Sequence, residues 1–112
     1  MPITKRRGRL RVKLPDGSLI QERTSADTFT KAIDIAVSKT NINEVLNTNI
    51  IWCKFPLISM DKNIYTKEKY IKTLKKCECG LYVNTCSNNK DKRKLLLRIL
   101  DILKLNWNVT II

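Results

Sequence analysis

The first regular pattern in the chain is an alternation of apolar and basic residues. This pattern runs through residues 9–14 and has the period of a strand with one buried face. Residues 15–18 read Pro-Asp-Gly-Ser, which are typical turn residues, and residues 19–23 resume the strand pattern. We therefore predict a β-hairpin whose first strand has a cationic outer face.

Two longer segments have the period of a helix. The first begins at residues 24–27, which supply a capping hydroxyl and an acid for the first turn. The second, at residues 90–105, follows a Ser-Asn-Asn capping cluster at 87–89. Their apolar residues form two stripes, with Phe29, Ala32, Ile33, Ala36 and Val37 on the first helix and Leu96, Ile99, Leu100 and Leu103 on the second.

Shorter patterns fill the rest of the chain. They predict a short helix at 42–46, a buried strand at 50–55 that ends at Pro56, a helix over 61–76, and strands at 81–85 and 106–112. The order β-β-α-β-(α)-β-α-β is that of an α+β domain, with helices packed on a mixed sheet.

The length of 112 residues, 43% of them apolar, suits one small domain with a hydrophobic core. Residues 1–8 have no period, so we predict a flexible basic arm there and a single α+β domain over 9–112. No apolar run approaches the ~20 residues of a membrane span, and the first residues lack the apolar segment of a signal peptide. We expect a cytoplasmic protein without a membrane partner.

Charge is the unusual feature of the composition, since 22 Lys and Arg against 10 Asp and Glu give a net charge of +12. Two basic blocks flank a near-neutral centre: residues 1–13 have six bases and no acid, and residues 62–98 have eleven bases and three acids. Codon usage of an AT-rich genome also enriches lysine. It does not explain why four of the seven arginines lie within residues 6–11.

The chain has no histidine, which excludes a Ser-His-Asp triad, a Cys-His nucleophile and a histidine-ligated metal. Asp16 and Glu22 lack the Glu-x-Lys partner that a restriction-type nuclease uses. We therefore predict a protein that binds rather than catalyses.

The first basic block is predicted to contact a polyanion. Alternate side chains on a strand are about 6.6 to 6.8 Å apart, which is close to the spacing of successive phosphates. The alternative is that these bases only protect an edge strand from aggregation. The candidate contacts are Lys5, Arg6 and Arg7 in the arm and Arg9, Arg11 and Lys13 on the strand.

The second block supplies further candidates. Lysines at a helix N-terminus oppose the helix dipole, so an anion bound to the free amides there would explain them. A solvated lysine-rich surface is the alternative. The candidates are Lys72, Lys75, Lys76, Lys90, Lys92, Arg93 and Lys94.

The expected partner is nucleic acid, DNA more than RNA. The seven aromatic residues are few and mostly occupy predicted core positions, which favours a duplex over a single strand that needs stacking platforms. The alternative is a protein-interaction or inhibitor module that docks on an acidic, nucleic-acid-binding surface of a partner protein.

The four cysteines are Cys53, Cys77, Cys79 and Cys86. A cytosolic protein keeps its cysteines as thiols, and Cys-x-Cys spacing differs from the Cys-x2-Cys hairpins of zinc ribbons. We therefore expect no metal and no cofactor, although four thiols leave a zinc site open.

Parts of the sequence resemble three known kinds of domain or peptide. Residues 14–18, 27–29 and 81–85 resemble small domains that accompany bacterial restriction or phage-defence genes, which implies a prokaryotic or phage origin. Residues 9–37 look like the start of a TGS-type β-grasp domain, and such domains bind RNA or dock on proteins. Arg-Gly-Arg at 7–9 resembles the core of AT-hook peptides, which enter the minor groove of DNA.

Overall fold

A computed structural model describes residues 8–112. The predicted hairpin is present as β1 (Leu10–Lys13) and β2 (Leu19–Ile20), which pair antiparallel. Gly17 has φ +91° in the turn, a conformation that glycine adopts without steric cost. The last strand, β8 (Asn108–Ile111), pairs antiparallel with the other edge of β1. The first sheet therefore has the order β2-β1-β8.

Both predicted long helices form, as α1 (Ser25–Lys39) and, near the end of the chain, α4 (Asn89–Ile102). Thr24 and Asn88 cap them by accepting hydrogen bonds from backbone amides of the first turn. Both helices pack on one face of the first sheet. The core between these elements contains Leu10, Val12, Phe29, Ile33, Leu96 and Ile99, all fully buried.

The segment after α2 (Ile42–Asn47) differs from the prediction of one buried strand at 50–55. It forms a small hairpin of β3 (Ile51–Trp52) and β4 (Phe55–Pro56). Cys53 and Lys54 make the turn with φ of +55° and +72°. The prediction was wrong because neither residue type marks a turn that needs positive φ.

A third sheet has the order β5-β7-β6 and consists of β5 (Ile58–Ser59), β6 (Leu74–Lys76) and β7 (Tyr82–Asn84). The helix predicted over 61–76 is shorter than expected. A 3-10 turn at Lys62–Ile64 precedes α3 (Glu68–Thr73), and the chain then becomes extended in β6. This strand pairs with β7, and tertiary pairing overrides the weak helical pattern there.

The α+β class is confirmed, but the expected single mixed sheet is wrong. Among residues 8–112, the strands form three small sheets in which every pair is antiparallel. Three of the five pairs, β1–β2, β3–β4 and β6–β7, are joined by short turns, which only antiparallel strands allow. None of the helices in this part of the chain is long and apolar enough to cross a bilayer.

Candidate nucleic-acid interface

The outer face of β1 is basic, as the alternation predicts. Leu10 and Val12 point into the core and are fully buried. Arg9 and Lys13 are exposed on the opposite face, and Arg11 between them is half-buried. The strand therefore aligns Arg9, Arg11 and Lys13 in a row, which we call the basic strand face.

A shallow hollow of about 360 Å³ lies on this side of the first sheet. The strand register sets Thr110 of β8 opposite Arg11 and Asn108 opposite Lys13. The six lining residues, Arg11, Lys13, Gly17, Leu19, Asn108 and Thr110, include no acid. The hollow therefore combines positive charge with uncharged hydrogen-bonding groups. Asn108 and Thr110 escaped the sequence prediction because nothing in the sequence gives the pairing of β1 with β8.

Arg11 is one of the residues that line this hollow. Its Nε atom is buried and, among residues 8–112, has no hydrogen-bond partner. The structure also gives no ion pair to any of the three bases of the basic strand face within this part of the chain. Their charges are therefore available to an external anion.

Contacts at the β8 edge bring the N-terminal turns of α4 next to the first sheet. Arg93 Nε donates to the carbonyl of Val109 at 2.9 Å. Arg9 and Ile112 exchange two backbone hydrogen bonds of 2.9 Å. Such pairs alternate along an antiparallel ladder with pairs whose amides and carbonyls point outward. Val12 and Val109 are a pair of the second kind, so the Val109 carbonyl points away from β1. One strand, about 4.8 Å wide, thus separates β1 from the edge that Arg93 covers.

Gly8 forms a second contact between the two basic blocks. Its carbonyl accepts a hydrogen bond from the side-chain amide of Asn89, the first residue of α4. A Cβ at Gly8 would stand 2.5 Å from Cγ2 of Ile111, so the close packing explains the glycine. Gly8, the last residue of the predicted arm, therefore lies beside α4, while Lys5, Arg6 and Arg7 lie outside the described residues.

Exposed bases continue along α4. Lys90 and Lys94 are exposed and four residues apart, hence on one side of the helix. Arg93 is exposed as well and is fixed to β8. Lys90, Arg93 and Lys94, which we call the basic helix turns, therefore lie next to the sheet that displays the basic strand face.

The prediction that Lys92 contacts nucleic acid is wrong, because its side chain does not lie on this surface. Only 4% of it is exposed, and its ammonium group donates to the carbonyl of Thr85 at 2.9 Å and to that of Ser87. Burial lowers the pKa of Lys92. Its function is to hold the segment before α4, which sequence alone does not distinguish from surface exposure.

At the predicted anion site, the N-terminus of α4, some backbone amides already donate hydrogen bonds within the protein. The Asp91 amide donates to Asn88 Oδ1 at 2.8 Å, and the Lys92 amide to the Asn88 carbonyl at 2.9 Å. Asn88 thus satisfies two of the amides, from about Asn89 to Lys92, that we expected to meet an anion.

Lys72, Lys75 and Lys76 belong to α3 and the third sheet. The ammonium group of Lys72 lies 3.3 Å from a Glu68 carboxylate oxygen, and that of Lys75 lies 3.3 Å from Asp27. Lys76 lies over a tyrosine ring. These three predicted contacts therefore form a separate group, in which two charges already have carboxylate partners.

All seven aromatic residues lie in the described part of the chain, and none is classed as exposed. Phe29, Tyr65, Tyr70 and Trp107 are buried, and the others are half-buried. Single-strand binders present exposed rings on which bases stack. The described part of the surface presents bases without such rings.

Comparisons with protein families, with curated proteins and with solved structures found no match for this chain. The resemblances noted from the sequence therefore stay predictions, and the candidate interface rests on the geometry given above.

Proposed function

We propose that this protein binds duplex nucleic acid, DNA in preference to RNA, and that it does so without catalysing a reaction. The observation that carries the proposal is the contact of Gly8 with Asn89 and of Arg93 with Val109. Through these contacts two basic segments about eighty residues apart in sequence become neighbours. A single polyanion can then engage both.

Phosphate contacts are the expected source of affinity. The basic strand face and the basic helix turns supply six bases. Binding of Lys and Arg to phosphates depends little on the nucleotide sequence. Asn108 and Thr110 add hydrogen-bond donors that also suit phosphate oxygens.

Two features favour DNA duplexes. The absence of exposed aromatic rings among residues 8–112 disfavours single-strand stacking. The arginine-rich residues 6–11 suit the negative potential of a narrow minor groove, which A-form RNA lacks.

An acidic protein is the second candidate partner. The specific observation in its favour is Leu19, which is 52% exposed within the hollow. An apolar side chain among bases suits a protein segment that combines acids with one apolar anchor. In that case the basic strand face would bind the acidic protein and would have no affinity for nucleic acid.

Fluorescence polarisation with a short DNA duplex, the matching single strand and an RNA duplex tests the proposal. With six phosphates contacted, log K is expected to fall against log salt with a slope of about −5. Replacing Arg9 and Lys13 by glutamine removes two exposed charges and is expected to make that slope shallower by about 2.

The matched control is the double variant Lys31→Gln, Lys39→Gln, which removes the same charge from exposed positions of α1. It is expected to retain most of the affinity and the slope. Equal losses in both double variants, or binding that does not respond to salt, would show that the basic strand face is not the binding surface. Binding to none of the three nucleic acids would favour the acidic protein.

A further inference from the structure

We propose that Asp34, Cys77 and Cys79 form a site for one Zn²⁺ ion, with a water molecule as the fourth ligand. This site is independent of the nucleic-acid interface. The two thiol sulfurs and a carboxylate oxygen of Asp34 all lie within 4.8 Å of one another. It differs from the four-cysteine site that the sequence left open.

The separation of these atoms fits a tetrahedral ion after a small adjustment. Zinc binds sulfur at about 2.3 Å and carboxylate oxygen at about 2.1 Å, which sets neighbouring ligand atoms about 3.5 to 4 Å apart. Inward movement of side chains by about 1 Å or less therefore completes the geometry.

The backbone around the site is already arranged. Cys77 and Gly80 close a tight turn, with the Gly80 amide donating to the Cys77 carbonyl at 2.9 Å and Gly80 at φ +100°. The Cys79 amide donates to Oδ1 of Asp34 at 3.1 Å, which fixes the carboxylate against the turn.

The three ligands differ in how far solvent reaches them. Cys77 is buried and its thiol donates to the carbonyl of Thr30, one helical turn before Asp34. Asp34 and Cys79 are half-buried and reach solvent. An ion can thus enter from outside, and a water molecule can occupy the exposed fourth position.

The ligand chemistry selects the ion. Two thiolates and one carboxylate suit zinc or its softer analogue cadmium, whereas Ca²⁺ and Mg²⁺ require oxygen ligands. An ordinary cysteine thiol is protonated near neutral pH, so the metal-free protein keeps both protons. Binding forms two metal–sulfur bonds and releases those two protons to solvent.

The bound ion would connect two parts of the fold. Asp34 lies on α1, which packs on the first sheet, and the cysteines follow β6 of the third sheet. Because only the folded state brings these ligands together, zinc is expected to raise the melting temperature. Asp34 could not be found from the sequence, since a residue forty-three positions before Cys77 forms no recognisable spacing motif with it.

Titration of the full chain with Cd²⁺, under a phosphine reductant that keeps the thiols reduced, tests the site. We expect one equivalent to bind, with an ultraviolet sulfur-to-cadmium charge-transfer band and release of two protons in weakly buffered solution. Zn²⁺ should displace Cd²⁺ or compete with it, while a large excess of Ca²⁺ or Mg²⁺ should not.

Cys79→Ser and Asp34→Asn test the individual ligands, and Cys53→Ser is the matched control at an exposed cysteine. Loss of one thiolate is expected to weaken binding at least ~100-fold, because the affinity is shared among few ligands. Asparagine at position 34 keeps the acceptor for the Cys79 amide, so folding, checked by circular dichroism, is retained. No charge-transfer band, or the same affinity in Cys79→Ser as in Cys53→Ser, would overturn the proposal.

Discussion

Among individual side chains, Lys92 of α4 joins two backbone carbonyl groups of the segment that precedes this helix. Its ammonium group is buried and donates to Thr85 and Ser87. Lys92→Met fills the same space but leaves both carbonyls without that partner, so we expect the free energy of unfolding to fall by about 2 kcal/mol. Urea denaturation measures the change.

The matched control for this substitution is Lys94→Met, at an exposed position on the same helix. It is expected to leave stability within about 0.5 kcal/mol of the original protein and to reduce duplex affinity. If Lys92→Met left stability unchanged and reduced affinity instead, its ammonium group would belong to the binding surface.

Tyr65 makes the stability of the protein depend on alkaline pH. It is 1% exposed and its hydroxyl donates to the Pro56 carbonyl at 2.8 Å, and burial raises its pKa from 10.0 to about 12. Between these pH values the unfolded chain loses the proton and the folded chain keeps it. Stability from this group is therefore complete below pH 10 and declines from pH 10 towards pH 12.

Tyr65→Phe removes this titration. Between pH 9 and pH 11 the original protein should lose about 1 kcal/mol more stability than the phenylalanine variant. Urea denaturation under reducing conditions at both pH values measures the difference. Parallel losses in the two proteins would show that Tyr65 ionises equally in the folded and unfolded chains.

At the scale of elements, the β3–β4 hairpin is strained at its turn. Lys54 has φ +72°, a region that disfavours residues with a Cβ and favours glycine. Lys54→Gly is expected to be more stable than Lys54→Ala by about 1 kcal/mol, because both lose the same side chain and only one keeps the Cβ. Thermal denaturation compares them, and equal stability would mean that this turn relaxes without cost.

The elements also show how far sequence reasoning extends. β1, α1 and α4 were predictable, because their patterns are long and are bounded by turn or capping residues. β3, β4 and β6 were not, because strands of two or three residues are defined by their partners rather than by their own period.

The same limit applies to the candidate sites. The basic strand face was predictable, because alternate residues of a strand must share a side. The inward direction of Lys92 and the approach of Asp34 to Cys77 and Cys79 depend on packing between distant segments. No local pattern records such packing.

At the scale of the whole molecule, the pairing of the first and last strands organises the charge. β8 places Asn108 and Thr110 beside β1 and provides the edge to which Arg93 binds. The charge of the second basic block is thereby divided. The basic helix turns join the first sheet, while Lys72 and Lys75 form ion pairs on α3 and β6.

This arrangement predicts that the basic strand face and the basic helix turns bind one duplex together. The first test is to combine Arg9→Gln and Lys13→Gln with Lys90→Gln and Lys94→Gln. If each pair accounts for two phosphate contacts, the salt slope should change from about −5 to about −2 in the combined variant, and each pair alone should give an intermediate value. Polarisation titrations between about 50 and 200 mM salt measure these slopes.

The combined variant also needs a control for net charge, since removing four bases weakens attraction to any polyanion. Replacing Lys31, Lys39, Lys62 and Lys67 by glutamine removes the same charge from exposed positions elsewhere and should leave the slope nearly unchanged. If the α4 pair behaved like this control while the β1 pair did not, only the strand would contact the duplex. The contact of α4 with β8 would then serve the fold alone.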